Sequence, residues 1–400
     1  GGAAGAEPLL ERAAALAPDW AEPAFRLGHL RYRQDRQAES VTFFRRAVRL
    51  APGSPQAHTN LGVMLRRLGD LAEATACHER ALALDPGFVE GHWNLSHTLL
   101  AQGDLARGFA EAEWRLRRAE TPPPPSGSPR WDGGPLDGRR ILLTAEQGIG
   151  DVVHFARFAA LVAARGGRVV LECHAGLERA MATVPGVEHV VTIGGPPPPI
   201  DCWAPLLSVP FLLRLDWDGV PVAPYVAVPP GAVAPPELAG RHGLKVGLVW
   251  SGNPDFLENR DRAVPLPLLA PLAAIEGVRL FSLQKGGPAE ALRAPDAPPG
   301  IVDLGPRLRD FADTAAAIAA LDLVVSVDTS VPNLAGAMGA PTWALLGHHC
   351  DWRWMRDHQD CRWYPSMRLF RQPERGDWTT PIARLATALR ARRRTVTCWR

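Results

Sequence analysis

The first third of the chain repeats itself every 34 residues. Leu27, Leu61 and Leu95 keep that spacing, as do Ala13, Ala47 and Ala81, and Pro18, Pro52 and Pro86. Gly28 and Gly62 are followed at the same step by Ser96, and Asn60 by Asn94. A unit this short cannot bury an apolar face by itself. It must stack on copies of itself, which restricts this part of the chain to a helical array. Within each period the small residue at Gly28 or Gly62 lets two helices approach closely, and the proline ends the second helix.

A Leu-Gly pair, a later Ala and a closing Pro in a 34-residue period form the tetratricopeptide pattern. Residues 5–18 match only the second helix of such a repeat and the chain does not start with Met, so we expect an upstream portion. The third repeat decays, with Arg115 where Ala is expected, as in a terminal capping repeat. The array, residues 1–119, reads either as a packing spacer or as a concave groove for a peptide or protein; we favour partner binding.

Residues 120–139, ETPPPPSGSPRWDGGPLDGR, read as a linker. Its four consecutive prolines exclude helix and give a stiff, extended connection. Beyond it the apolar runs ILLTA (141–145), RVVLEC (168–173), HVVTI (189–193) and DCWAPLL (201–207) alternate with helical segments at 151–165 and 176–184. That alternation predicts a parallel sheet flanked by helices. A second proline-rich stretch, 220–236, interrupts it. The series then restarts with strands at 245–252, 279–286, 300–305, 323–330 and 341–347 and helices at 266–276, 311–320 and 332–338. We therefore expect a Rossmann-like half over 140–225, a hinge over 226–242 and a second Rossmann-like half over 243–400 that closes on a helix at 379–394. A ligand cleft would lie between the halves.

Composition narrows the class. The formal charge of +2 argues against a bulk nucleic-acid or membrane-surface binder. Six cysteines, none in a C-x-x-C pair, read as reduced thiols of a cytoplasmic protein. No apolar run reaches the roughly 18 residues of a membrane span, and we expect no signal peptide.

The stretch EQGIGDVVHF, 146–155, looks like a dinucleotide fingerprint but fails it, because Val153 stands at the third glycine position. Gly148 and Gly150 instead allow a tight turn from strand to helix. Asp151 falls in the helix's first turn, where the dipole keeps a carboxylate ionised and a phosphate would be repelled. On spacing alone Asp151 reads as a helix cap. His154, one turn on, reads as a partly exposed helix histidine, and Phe155, Phe158, Leu161 and Val162 as the core stripe. The second half has the anion-binding pattern that the first lacks. Asp328, Thr329 and Ser330 end a strand just before a helix with Pro332 in its first turn, where backbone N–H groups and two hydroxyls can hold a phosphate. Turns at Trp250–Pro254 and Gln284–Gly287, the latter with Lys285, are directed to the same sheet edge. Arg260 and Arg262 can reach a diphosphate.

The region 140–400 resembles the bacterial glycosyltransferases of the heptosyltransferase type, glycosyltransferase family 9. More closely, the chain resembles bacterial proteins that join tetratricopeptide repeats to such a domain. The resemblance rests on EQGIGDVVHFARF, VGLVWSGNP, FSLQKG, DFADTAAAIAALDLVVSVDTSVPNLAGAMGAP, DWRWM and WYPSMRLFRQ taken together. It implies helical repeats followed by a GT-B pair of Rossmann-like α/β domains, and a metal-independent, inverting glycosyltransferase without a cofactor. It further implies Asp151 as catalytic base, beside an acceptor-side loop with Gln147, Gly148, Gly150 and His154. Asp328, Thr329 and Ser330 would bind the phosphates and ribose of a nucleotide-sugar. Ser251, Gly252 and Asn253 would contact the phosphates, with Arg262 as a basic donor contact beside Lys285. The family's strand-end motif usually closes on His; here Asn333 stands there, which can hydrogen-bond but carries no charge. His348, His349, Cys350, His358 and Cys361 also depart from the family pattern. Their spacing matches no standard zinc motif, so no metal is expected. The expected acceptor is a hydroxyl on a protein recruited by the repeats. The alternatives are a lipid or polysaccharide acceptor, or a non-catalytic scaffold.

Overall fold

The computed structural model describes residues 2–118, 127–240, 242–256, 259–356 and 358–397. The four-proline run of the expected linker and Cys398 lie outside them. The chain divides into two compact units. One comprises Gly1–Pro122, Arg214–Trp217 and Asp351–Arg356; the other comprises Pro123–Leu213, Asp218–Cys350 and Asp357–Arg400.

The first unit holds the repeats: α1 (Gly2–Leu16), α2 (Ala21–Arg33), α3 (Gln37–Leu50), α4 (Pro55–Leu68), α5 (Leu71–Leu84), α6 (Val89–Gln102) and α7 (Leu105–Ala112). Local chemistry sets the ends of these helices. Ser54 Oγ accepts from Ala57 N at 3.2 Å, and Pro55 fills a first-turn position that needs no N–H. Gly69, at φ 90°, ends α4; Asp70 then opens α5 by accepting from Glu73 N at 3.0 Å. Gly103 and Asp104 repeat that step between α6 and α7. The 34-residue glycines are packing residues: a Cβ at Gly28 would lie 2.8 Å from the Phe44 ring, and one at Gly62 2.6 Å from the His78 ring. Arg115 is buried in a 3₁₀ turn, Glu113–Arg117, and its Nη1 donates to Ala112 O at 3.1 Å, so regular helix stops before it.

The same unit takes in two short segments from far along the chain. Trp217 Nε1 donates to Gly103 O at 2.8 Å. The Trp352 ring meets Phe109 edge-on at 6.2 Å. Met355 packs over Gly103 and the Arg356 guanidinium over Gly69. The repeats therefore bury Trp352 and Trp354 of the DWRWM stretch.

The second unit contains two sheets. In the first, β1 (Arg140–Thr144), β2 (Arg168–Cys173), β3 (Val187–Thr192) and β4 (Cys202–Pro205) are all parallel, in the order β3-β2-β1-β4. The second has the order β10-β11-β9-β8-β5-β6-β7, built from β5 (Leu244–Val249), β6 (Val278–Ser282), β7 (Val302–Asp303), β8 (Leu323–Val327), β9 (Thr342–Leu346), β10 (Asp360–Cys361) and β11 (Tyr364–Arg371). All its pairings are parallel except β10 with β11. Every residue of β8 and β9 is buried, as a strand covered on both faces requires.

Several details differ from the sequence reading: the helix expected at 176–184 is the single turn Glu178–Met181, and within the expected linker Trp131 and Leu136 are buried. The helix expected at 151–165 is interrupted by a 3₁₀ turn at Ala156–Phe158. The helix expected at 266–276 starts as a 3₁₀ turn, Leu266–Leu269, and continues only over Ala270–Ala273, where Pro267 and Pro271 sit in successive first turns. Strands β10 and β11 were not expected, because β10 is only two residues long and Pro365 and two arginines break the apolar run of β11. Among the described residues no helix is long and apolar enough to cross a membrane.

Candidate functional site

In each sheet the first strand has its chain successor on one side and a later strand on the other: β1 lies between β2 and β4, and β5 between β6 and β8. Open α/β sheets bind ligands at that crossing, beyond the carboxyl ends of the strands. In the second sheet Val249 pairs with Ser326, so the turns after β5 and β8 leave side by side. A Cβ on Gly252 would lie 3.5 Å from Thr329 Cγ2 and 2.9 Å from Asn259 Oδ1, which accounts for glycine there. Gln284 straps the first turn: its Oε1 accepts from Trp250 N and Ser251 N at 3.1 and 3.0 Å, and its Nε2 donates to Ser251 O at 3.0 Å. Asn259 completes it, accepting from Gly252 N at 2.8 Å and donating to Ser251 Oγ at 3.1 Å. Asn253 is exposed and accepts from Asp255 N at 3.1 Å.

Thr329 caps the helix Ser330–Ala337, its Oγ1 accepting from Val331 N at 3.3 Å. Asp328, Thr329 and Ser330 are all half-buried. Arg262 Nη1 donates to Asp328 O at 3.3 Å and lies 3.8 Å from Asp328 Oδ2, so a cation stands beside the turn. The guanidinium is stacked on Phe256 at 4.8 Å. Lys285 points elsewhere: its Nζ donates to the carbonyls of Leu308 and Gly305. Arg260 is paired with its neighbour Asp261 at 3.7 Å.

The glycine turn after β1 faces this arrangement. Gly150 is small because the other half is close: a Cβ there would lie 3.1 Å from Asn333 Nδ2 and 3.8 Å from Ser330 Cα. Asp151 Oδ2 accepts from Gly148 N at 2.9 Å, so the carboxylate caps its own helix, Ile149–Phe155, at the mouth of the turn. Gln147 O accepts from His174 Nε2 at 2.6 Å. Glu172, at the end of β2, accepts from Ala145 N at 3.0 Å, and burial raises its pKa above the ordinary carboxylate value.

His154 corrects the sequence reading. It is fully buried, with its ring against Trp363 at 4.7 Å and its Nδ1 3.0 Å from Tyr364 Oη. A histidine one turn on from Asp151 looks solvent-facing until the start of β11 is placed over it. Asn333 is buried too, and both ends of its amide are engaged: Nδ2 donates to Thr329 O at 2.8 Å and Oδ1 accepts from Tyr364 Oη at 3.1 Å. Sequence reasoning picked out the turn that starts at Gln284 but gave its role to Lys285, and it assigned no role to Arg157, Tyr225, Tyr364 or Asn259. Only Arg157 left a signal, three residues after His154 on one helical face. Cys350 Sγ accepts from Arg371 Nη1 at 2.7 Å, and burial pushes the Cys361 thiol up to about 11. Among the described residues no three of His, Cys, Asp or Glu are grouped to hold a metal ion.

The chain thus combines tetratricopeptide-like helical repeats with a mixed α/β region of parallel sheets whose strand ends present polar turns to one another. Residues 55–88 match the family model of the tetratricopeptide repeat. Over 290 residues the chain is 32% identical to the protein FlbA of Caulobacter vibrioides, a match that takes in 65% of this chain and 48% of that protein. The chain therefore spans about half the length of the curated relative it matches. Among solved structures, MamA is similar at 17% identity and a TM-score of 0.27, over 29% of this chain and 67% of that one. The TPR2B domain of yeast Sti1, solved in a pHsp70 complex, is similar at 21% identity and a TM-score of 0.24, over 24% and 78%.

Proposed function

We propose that the second unit is an inverting glycosyltransferase of the GT-B kind, and that the repeats bring it a protein acceptor. The observation that supports this reading is the approach of two turns from opposite sheets, Gly148–Asp151 and Asp328–Ser330, with Gly150 bare where they meet and Gly252 bare beside Thr329. A nucleotide-sugar diphosphate would lie on the N–H groups opening the helix Ser330–Ala337, beside the Ser251–Asn253 turn and the Arg262 cation. Asp151, on the other side, would take the proton of the acceptor hydroxyl as its oxygen attacks the sugar C1 and the nucleoside diphosphate leaves with the bonding electrons. General-base help of this kind is worth roughly 10²–10⁴-fold.

The test uses Asp151→Asn, which keeps an acceptor for Gly148 N and so leaves the helix cap in place while removing the base. Transfer of labelled sugar should fall by about 10²–10⁴-fold with little change in melting. Undiminished turnover would sink the base assignment. A second reading, a non-catalytic scaffold, is favoured by the capping bond of Asp151 and by the engaged amide of Asn333. Thermal shift with UDP, GDP, CDP and ADP separates the two readings: the transferase gains stability with at least one, the scaffold with none.

A further inference from the structure

A chain of polar contacts crosses the second unit. Thr329 O is a carbonyl and only accepts, so the Asn333 amide nitrogen faces it, at 2.8 Å. The amide oxygen must then face Tyr364, whose phenol gives it its one proton at 3.1 Å. His154 Nδ1 lies 3.0 Å from that phenol oxygen and 3.4 Å from Arg157 Nη2, so its ring carries the contact on to the helix that Asp151 caps. These residues belong to three separate elements. His154 lies on the helix that Asp151 caps, Tyr364 starts β11, and Asn333 sits in the first turn of the helix that follows Thr329.

Arg157 braces the chain from behind. It is 1% exposed, and its Nε, Nη1 and Nη2 donate to His154 O, Trp363 O and Tyr225 Oη at 2.9, 3.0 and 3.2 Å. Its guanidinium lies 4.7 Å from the centre of the Tyr364 ring and 4.9 Å from that of Tyr225. A buried cation held by carbonyls and ring faces keeps those rings in one arrangement.

We infer that Asn333 and Tyr364 are positioning residues: they form a polar pin that sets the Thr329–Ser330 turn of one half against the Gly148–Asp151 turn of the other. Asn333 acts on a ligand through Thr329, by holding the peptide that aims the N–H groups of the first helical turn. The nucleotide arm of the test rests on the transferase reading; the pin itself rests on the geometry alone.

The experiment uses the full chain with Tyr364→Phe, Asn333→Leu and the double variant. Tyr364→Phe keeps the ring against Arg157 and removes only the hydroxyl. Two readouts are taken: calorimetric affinity for whichever of UDP, GDP, CDP and ADP binds the unaltered chain, and amide hydrogen exchange. Each single change should weaken nucleotide binding about tenfold, and the double change by no more than either single one, because both cut the same chain of bonds. Tyr364→Phe should speed exchange together in the first turn of the Ser330–Ala337 helix and in the Ile149–Phe155 helix. Independent, multiplying effects on affinity, or faster exchange in only one of the helices or in neither, would overturn the pin. If no nucleotide binds the unaltered chain, the transferase reading falls and the exchange result still decides on the pin. Should Asn333→Leu fail to fold, Asn333→Asp and Tyr364→Phe take its place.

Discussion

At the residue scale the repeats carry an acid-sensitive side chain. His78 is fully buried against Gly62, where Phe44 sits against Gly28 one period earlier. Burial, helped by the nearby charges of Arg66 and His97, pushes its pKa from 6.5 down to about 3. The folded state therefore keeps His78 neutral while the unfolded chain takes up a proton below about pH 6.5. The stability that depends on neutral His78 is fully present above that pH and is lost as the pH falls towards 3. His78→Phe, which copies the first repeat, should flatten the fall in melting temperature between pH 6.5 and 4; an unchanged slope would place the acid sensitivity elsewhere. At Gly62 itself an alanine would meet the His78 ring, so Gly62→Ala should cost about 1–3 kcal/mol by overpacking, measured by urea unfolding.

At the element scale the helices are bounded by small local devices that are readable in the sequence. Gly-Asp at 69–70 and at 103–104 makes a left-handed stop followed at once by a side-chain cap. Asp70→Ala should lower the stability of the repeat unit by about 1 kcal/mol, seen as a shifted denaturation midpoint with an unchanged slope. The strands of the second unit were legible for a similar reason: short apolar runs between turn residues recur from 141 to 347. Their ends are the candidate site, and so the turns at Gly148, Gly252 and Thr329 could be picked out as well. Strands β10 and β11 could not be, because β10 is only two residues long and β11 carries a proline and two arginines in its run.

At the scale of the whole molecule, the repeat unit draws on residues more than 200 positions from the repeats. Trp354 is 1% exposed and belongs to that unit. Trp354→Ala should open a cavity worth about 3–5 kcal/mol, and the loss should show in the melting of the helical repeats. An unaffected repeat transition would show that the DWRWM stretch adds nothing to it. The sequence by itself determined what is local and periodic: stacked helical hairpins, alternating strands and helices, and glycines where a turn or a close approach demands them. Only the tertiary structure decided which distant residues meet. It buried His154 under β11, engaged both ends of the Asn333 amide, enclosed Arg157 among three aromatic rings, and seated DWRWM among the repeats. The physical reason is that a periodic pattern records the face a residue presents along its own element. Contacts such as His154 with Tyr364, 210 positions apart, leave no spacing to read.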